Sequence, residues 1–388
     1  MSLDRGERLK NARKRAGLTQ LELAERCPDV SLSQLRRIER GEYEPRLYAL
    51  RQLAVALRVR TADLAEGQDA EYADAETEAL WEPVRRALVG HADAADSTVS
   101  GADVRTDLED LRGMLGTHRY GEVAALLPMV LRDAEDVEDQ GRTIRSRVLN
   151  LTGWMLTQCR QFDTAEATLN RAIDAAEDRI DAAAAANTLA WVMLRQGRIA
   201  DAREFAIRWA DEIEPPRFSR ATTAELSTWG RMWLYVANIS VRNNEDGEAE
   251  DAMNLARAAA ARIGREVYTD ASTVRTFGPI TVAHIAAEGH AIAGRPEMTL
   301  SIAERTPPAT LQPVASSRLR HRLDVAHAHA QLGQFPEAIA EMQTVRNVAP
   351  EWLVQQQYGR DILTKVIIKR RTLTPETREL ANQIRLEL

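Results

Sequence analysis

The feature that most constrains this chain is a short turn pattern that recurs along residues 103–388. Each copy has the form Gly-x-(aromatic or aliphatic)-x-x-Ala, in which another residue sometimes replaces the glycine or the alanine. Helix-forming stretches lie on both sides of it. The copies begin at His118, Arg160, Gly197, Gly247, Gly294 and Gly333. Those at Gly197 and Gly333 are the clearest. A single helix pair cannot bury its apolar face alone, so the pattern predicts stacked helical hairpins.

Setting these turns in register places repeat starts near residues 104, 146, 183, 233, 280 and 319. The repeats resemble tetratricopeptide (TPR) repeats, whose ideal period is about 34 residues. Their longer spacings indicate a degenerate array with lengthened helices. The resemblance implies a right-handed α-solenoid with a concave groove. Residues 353–388 are expected to cap it with Ile362, Leu363, Val366 and Ile367.

Composition supports an all-α chain, because glycine and proline are sparse within the long segments and β-branched runs are rare. Cys27 and Cys159 lie far apart without disulfide or zinc spacing, which fits a reducing compartment. The N-terminus is charged from Asp4 onward and does not resemble a signal peptide. No run of about 18 apolar residues occurs. We therefore expect a cytoplasmic protein with no membrane partner.

Residues 1–66, which we call the head, contain the start and stop signals of five short helices. Thr19 and Ser31 are each followed three residues later by Glu or Gln, the spacing of a capping box. Gly17 and Gly41 are placed to end the first and third helices. Two short helices joined by a tight turn, with basic residues on the second, predict a helix-turn-helix DNA-binding domain.

The head resembles the XRE/Cro type of helix-turn-helix over about residues 5–65. Segments 17–24, 30–31 and 37–41 match that pattern in order, although the turn at 27–29 is one residue longer than usual. The resemblance implies that the third helix enters the major groove and that Arg37 contacts guanine. Arg13 and Glu39 match a structural ion pair. The candidate DNA-binding residues are Thr19, Gln20, Ser31, Leu32, Ser33, Gln34, Arg36 and Arg37.

Charge is distributed unevenly along the chain. Residues 1–60 hold 14 Lys and Arg against 8 Asp and Glu, a net charge of +6, whereas the whole chain carries −7. The remainder therefore carries −13. A basic N-terminal segment on an acidic remainder is the distribution expected of a DNA-binding module attached to a part that does not bind DNA.

Residues 67–102 are expected to be a linker with one helix over 76–89. The flanking stretches 67–75 and 90–102 are polar and rich in small residues, which favours flexible connections. Residues 103–388, which we call the body, form the predicted TPR-like sensor and dimerisation domain. A flexible linker would allow the head to change its orientation relative to the body.

The predicted concave face carries a set of candidate ligand-binding residues. Asn150 and Asn187 occupy the same place in successive repeats, and Trp154 and Trp191 follow four residues later on the same face. Asparagine amides can bond a peptide backbone, and tryptophans supply apolar walls. The full set is Arg147, Asn150, Trp154, Asn187, Trp191, Arg195, Asn238 and His284. Packing between neighbouring helices is the alternative explanation for these residues.

A helix-turn-helix head on a TPR-like body resembles the peptide-sensing regulators of Gram-positive bacteria, the Rgg/PlcR/PrgX-like group. That resemblance implies quorum sensing, a homodimer formed through the body, and a signalling peptide or small molecule in the groove. The expected DNA is a pseudo-palindromic operator.

Catalytic motifs are absent from the sequence: no phosphate-binding loop, serine-hydrolase elbow or His-Glu-x-x-His is present. We expect no enzyme activity, cofactor or metal. The alternative function is a protein-interaction adaptor with a regulatory or vestigial head.

Overall fold

The computed structural model describes residues 5–65, 75–90, 100–137, 141–271, 275–306, 315–369 and 373–386. The head forms the five helices expected from its capping signals. They are α1 (Arg5–Arg15), α2 (Gln20–Glu25), α3 (Leu32–Glu39), α4 (Leu47–Leu57) and α5 (Ala62–Ala65). Their inner faces share one core, which includes Leu9, Leu23, Leu35, Leu50 and Leu53.

Both predicted capping boxes are formed in the head. At α2 the Thr19 side chain accepts a hydrogen bond from the Glu22 amide, and the Glu22 side chain accepts one from the Thr19 amide. Ser31 and Gln34 form the same reciprocal pair at α3. Gly17, with φ +70°, and Gly41, with φ +72°, adopt the left-handed conformation at helix ends. These local signals fix where α2 and α3 begin and therefore how the DNA-facing helix is presented.

Helix α6 (Ala75–Val89) matches the helix predicted within the linker, and it packs against the body. Trp81 and Val84 are buried, and Thr77 exchanges hydrogen bonds with Gln355 near the C-terminus. Most of the stretches 67–75 and 90–102, for which we predicted flexibility, lies outside the described residues. The prediction that the head can reorient therefore remains a prediction.

Six helical hairpins follow between residues 101 and 348, five at the predicted turns and the fourth with its turn three residues earlier than predicted. They are α7 (Gly101–Gly116) with α8 (Tyr120–Asp136), α9 (Gly141–Gln158) with α10 (Phe162–Ala175), α11 (Arg179–Arg195) with α12 (Ile199–Glu212), α13 (Thr223–Arg242) with α14 (Asp246–Ile263), α15 (Pro279–Ile292) with α16 (Pro296–Arg305), and α17 (Ala315–Gln331) with α18 (Phe335–Val348). The described residues thus confirm an all-α fold, a helix-turn-helix head followed by a helical-repeat body.

Each hairpin turn contains one residue with positive φ. Glycine fills this place at Gly197, Gly294 and Gly333, whereas the other turns use His118, Arg160 and Asn244. The amide that follows each of them donates to the carbonyl five residues earlier, which closes the first helix of the pair. The six turns therefore share one backbone geometry although their sequences differ.

The predicted register of the fourth repeat was wrong by three residues. Its left-handed position is Asn244, with φ 63°, and Gly247 lies inside α14. Glycine was the expected occupant, but asparagine tolerates this conformation better than most residues. With the register corrected, Asn238 corresponds to Trp154 and Trp191 rather than to Asn150 and Asn187.

A short insertion between α14 and α15 was not predicted. Strands β1 (Val267–Tyr268) and β2 (Thr276–Phe277) pair in antiparallel register, Val267 with Phe277 and Tyr268 with Thr276. A pair of two-residue strands is too short to produce a recognisable alternation in sequence. Its importance is that it brings Arg275 against the concave face of the array.

Three C-terminal helices close the array: α19 (Pro350–Val354), α20 (Gln357–Lys369) and α21 (Pro375–Gln383). Ile362, Leu363 and Val366 are buried as predicted for a cap, and Ile367 packs against the same core from a half-buried position. None of the described helices combines the length and apolar character needed to cross a membrane.

The packing of the array gives a stability prediction at Gly230 in α13. A Cβ atom there would overlap the Phe277 ring and approach the Ala259 Cβ to 2.9 Å. Gly230→Ala should therefore destabilise the body by about 1–3 kcal/mol, seen as a lower thermal midpoint. Gly113→Ala is the matched control, because Gly113 is helical and exposed with open space around it. It should be neutral or stabilising by up to about 1 kcal/mol. Equal midpoints for the two variants would contradict this packing.

Candidate DNA interface and candidate ligand groove

The outer side of α3 is open to solvent. Ser33, Arg36 and Arg37 are exposed, and Leu32 and Gln34 are half-buried. The guanidinium carbon of Arg37 lies 5.4 Å from the ring centroid of Tyr43, so the side chain rests on an aromatic surface. This exposed, basic face is the one that the sequence resemblance assigns to DNA.

The inner side of α3 is braced by the predicted ion pair. Arg13 Nη2 donates to Glu39 Oε2 at 2.9 Å, and Gln20 Nε2 donates to the same oxygen at 2.7 Å. Burial would raise the pKa of Glu39, but the bonds from Arg13 and Gln20 outweigh it and hold that pKa below its usual value. The ion pair expected between α1 and α3 is therefore confirmed, and Gln20 joins α2 to it.

A groove with a volume of about 330 Å³ runs along the first helices of the central hairpins. Helices α9, α11, α13, α15 and α17 each contribute side chains to it, and Leu47 of the head completes one wall. A volume of this size fits a small molecule or a few side chains of a peptide.

Most of the candidate ligand-binding residues meet in or beside this groove. Five of the eight line it directly, namely Trp154, Trp191, Arg195, Asn238 and His284. Asn187 lines a small cavity that adjoins the groove through shared wall residues. Trp191 is half-buried, and the guanidinium carbons of Arg275 and Arg195 lie 5.3 Å and 5.8 Å from its ring centroid.

Arg147 and Asn150 lie in neither cavity. Arg147 is paired with Asp181, at 3.0 Å between Nε and Oδ1, and Asn150 is buried and accepts a bond from Thr188 Oγ1 at 2.9 Å. Both residues join α9 to α11. Their contacts are those of packing between neighbouring repeats, the alternative explanation given above.

Several groove residues were missed from the sequence. They are Arg231, Tyr235, Arg242, Arg275, Glu288, Arg320, His321 and Asp324. Three of them lie on α13 at 231, 235 and 242, which is one face of a helix, and the correct repeat register would have indicated them. The repeat register could not indicate Arg275, because Arg275 lies outside the repeat helices and reaches the groove through the β insertion.

Glu288 is the centre of a buried charge network in the groove. Arg242 Nη2 and Arg320 Nη2 lie 2.7 Å and 3.0 Å from its Oε1, and Asn238 Nδ2 donates to its Oε2 at 3.0 Å. Burial alone would raise the pKa of Glu288, but the charges of Arg320 and Arg242 lower it. This carboxylate is therefore fully engaged with residues of the chain itself.

His284 and His321 stack in the groove with ring centroids 4.0 Å apart and planes 10° apart. Burial, together with nearby positive charge, lowers their pKa values to about 3 and about 4. Both rings are therefore neutral at pH 7 and act as polar, planar wall groups. No cluster of three or more possible metal ligands occurs in the part of the chain that the structure describes.

The head is joined to the body by α4 and α5. Arg51 Nε donates to Val241 O at 2.9 Å and Arg51 Nη1 to Ile292 O at 3.0 Å, at the C-terminal ends of α13 and α15. The amides of Thr61 and Ala62 donate to Asn243 O and Oδ1, at 3.3 Å and 2.9 Å. We call these contacts the joint.

Two further contacts strengthen the joint. The lengthened turn at 27–29 holds Asp29, whose Oδ2 lies 3.3 Å from Lys365 Nζ on α20. The ring of Tyr48 on α4 packs edge-on against His327 of α17, with centroids 5.9 Å apart. The turn that departs from the family pattern thus supplies a contact with the body.

Comparison with known proteins identifies the head. Residues 9–64 match the family model described as Helix-turn-helix, so this domain is a DNA-binding helix-turn-helix of the XRE type. No curated protein matches the chain. Among solved structures, the apo form of the competence regulator ComR from Streptococcus vestibularis aligns at 12% identity over 99% of each chain. Its TM-score is 0.20.

The joint predicts a pH dependence of stability at His327. Burial, with Lys365 nearby, lowers the pKa of His327 to about 3, whereas an unfolded histidine titrates near 6.5. The unfolded chain therefore takes up the proton first, and stability is lost as pH falls below about 6.5. Between pH 7.5 and 5.5 this loss amounts to about 1 kcal/mol.

The measurement is the thermal midpoint of the wild type and of His327→Gln at these two pH values. The variant loses the hydrogen bond between His327 Nδ1 and the Tyr358 hydroxyl, which is 2.9 Å long in the wild type, so it should be less stable at pH 7.5. Its midpoint should nevertheless fall less on acidification. The same fall in both proteins would mean that His327 is not held neutral by the fold.

Proposed function

We propose that this chain is a sequence-specific DNA-binding transcription regulator whose body binds an effector. The observation that carries the proposal is the exposed face of α3, with Ser33, Arg36 and Arg37, held by an ion pair behind it on a helix-turn-helix domain. In this arrangement the recognition helix enters the major groove and its side chains meet base edges.

The residues divide by role. Arg37 is proposed to contact guanine O6 and N7 with its two-pronged guanidinium, while Leu32 packs on a thymine methyl. Ser31, Ser33, Gln34 and Arg36 flank these contacts. Thr19 and Gln20 lie at the N-terminus of α2, where the positive end of the helix dipole favours a backbone phosphate.

We propose that two chains act together. One small head contacts too few bases to select an operator, and two heads on half-sites about one helical turn apart provide the missing specificity. The expected operator is pseudo-palindromic, and the body is the proposed dimerisation domain. The proposed divisions are a head at 1–66, a linker at 67–102 and a body at 103–388.

The groove is the proposed effector site. It has the volume of a ligand pocket and combines aromatic walls, Trp154 and Trp191, with convergent polar groups. Leu47 on α4 belongs both to its wall and to the head. A signalling peptide or small molecule in the groove would therefore touch the helix that joins head to body, which supports control of DNA binding by the effector.

The test of DNA binding is a footprint at fixed salt on DNA from upstream of the chain's own gene, together with the mass of the protein in solution. We expect a protected palindrome and a dimer. Sequence-blind binding by a monomer would contradict the proposal and favour the adaptor alternative.

Arg37→Ala should weaken binding to the protected site by about 1–3 kcal/mol and relax the choice of base there. Arg15→Ala is the matched control, since Arg15 is an exposed arginine of the same domain that lies on α1. The control should lose affinity equally for all sequences, because it removes only charge. Unchanged specificity in Arg37→Ala would remove Arg37 from the base-contacting set.

A further inference from the structure

Two arginines stand at the boundary between the groove and the small cavity beside it. Arg231 on α13 and Arg275 beside β2 line both spaces. The cavity has a volume of about 20 Å³, room for one water-sized group. Its other polar wall residues are Asn187, Thr188, Ser227, Thr228 and Thr269. Guanidinium groups with neutral hydrogen-bonding groups around a small space are the chemistry that receives an oxygen anion.

Neither arginine has a carboxylate partner among the described residues. Arg275 Nη1 donates to the hydroxyl of Tyr235 and, at 3.3 Å, to Asn187 Oδ1, and both acceptors are neutral. Arg231 is half-buried, and its Nη2 atom is shielded from solvent without a hydrogen-bond partner. A shielded, charged donor left without an acceptor is unfavourable, so the site is incomplete as it stands.

The nearby acids are already engaged. Glu266, which faces Arg231, accepts from the amides of Ile280 and Thr281 at 2.7 Å and 3.0 Å and so caps α15. Glu288 is held by Arg242 and Arg320, as described above. Asp324, the other acid of the groove, lies beside Arg320, with 3.5 Å between its Oδ1 and Arg320 Nε. Within the described residues, no carboxylate is therefore paired with Arg231 or Arg275.

The charge balance of the groove points the same way. Its lining includes five arginines, at 195, 231, 242, 275 and 320, against two acids, Glu288 and Asp324. Burial and the charge of Arg275 lower the pKa of Arg231 to about 9, which still leaves it protonated at pH 7. A concentration of positive charge in a body that is acidic overall selects for negative ligands.

We propose that Arg231 and Arg275 form a binding site for an anionic oxygen group, a carboxylate or a phosphoryl group, carried by the effector. Its role in regulation rests on the proposed function, but the site itself is argued from the two unneutralised guanidinium groups. Arginine suits this task because its planar fork bonds two oxygens of one anion. Trp191 supplies an aromatic face beneath Arg275.

The first test uses inorganic phosphate as the probe. Equilibrium dialysis of the full chain with labelled phosphate, at constant ionic strength, should give one saturable site per chain. Arg231→Gln and Arg275→Gln should each weaken binding by about tenfold or more, because each removes a charge-assisted bond. Arg208→Gln is the matched control, since Arg208 is an exposed arginine of the body outside the groove, and it should bind as the wild type does.

Folding of the variants is checked by their thermal midpoints without phosphate. Removing one of two like charges should leave the midpoint unchanged or raise it. If Arg275→Gln fails to fold because it loses its bond to Tyr235, Arg275→Lys provides the second variant. Lysine keeps the charge but not the planar fork, and it should retain weakened phosphate binding.

A second arm distinguishes the two sources of the anion. Diglycine and its C-terminal amide are compared as competitors of bound phosphate, alongside glycerol phosphate. Displacement by diglycine but not by its amide would assign a carboxylate, whereas displacement by glycerol phosphate alone would assign a phosphoryl group.

The inference would be overturned if the wild-type protein bound neither phosphate nor diglycine saturably. It would also be overturned if Arg231→Gln, Arg275→Gln and the wild type bound phosphate equally well. These outcomes are independent of the operator footprint, which needs neither anion nor groove. Failure of the anion site is therefore distinguishable from failure of DNA binding.

Discussion

The buried guanidinium of Arg51 is the interaction on which the arrangement of this chain depends. Its bonds to Val241 O and Ile292 O reach carbonyls in the last turns of α13 and α15, beyond the regular helical hydrogen bonds; Val241 O also accepts from the Asn244 amide at 3.3 Å. Burial lowers the pKa of Arg51, the nearby charge of Asp246 offsets part of that effect, and the two carbonyl oxygens accept its N–H groups. One side chain of the head thus satisfies the ends of two body helices and sets where the head lies.

Helix α4 consequently belongs to both parts of the chain. Leu50, Leu53, Ala54 and Leu57 are buried in the core of the head, while Arg51 enters the joint. Leu47 faces the groove at the start of the same helix. Under the proposed function, a ligand that occupies the groove changes the surroundings of a helix that supports α3. This short mechanical connection requires no long-range pathway through the array.

The parts of the fold that could be predicted from sequence depend on local chemistry. Capping boxes at Thr19 and Ser31 involve residues three apart, and the hairpin turns recur as short patterns, so both were found. The fourth turn was misplaced because Asn244 takes the position that glycine fills at Gly197 and Gly333.

The groove was only partly predictable, because its charges come together through packing. Helical periodicity indicated Trp154 and Trp191, but the same periodicity also selected Asn150, which contacts Thr188 of α11; Arg147, chosen for its charge, contacts Asp181 of the same helix. Whether a regularly spaced polar residue faces a ligand or a neighbouring helix depends on its partner, Asp181 or Thr188 in these cases. The partner is not visible in the spacing.

The central claim, that the head is held on the body through α4 and α5, is tested most directly by amide hydrogen exchange in the whole chain with Arg51→Met. Methionine preserves the apolar stem and removes the donors to Val241 O and Ile292 O. We expect faster exchange in peptides covering residues 58–65, whose Thr61 and Ala62 amides donate to Asn243, and unchanged exchange in α1 to α3. Unchanged exchange at 58–65, or a uniform increase across the head, would contradict the account.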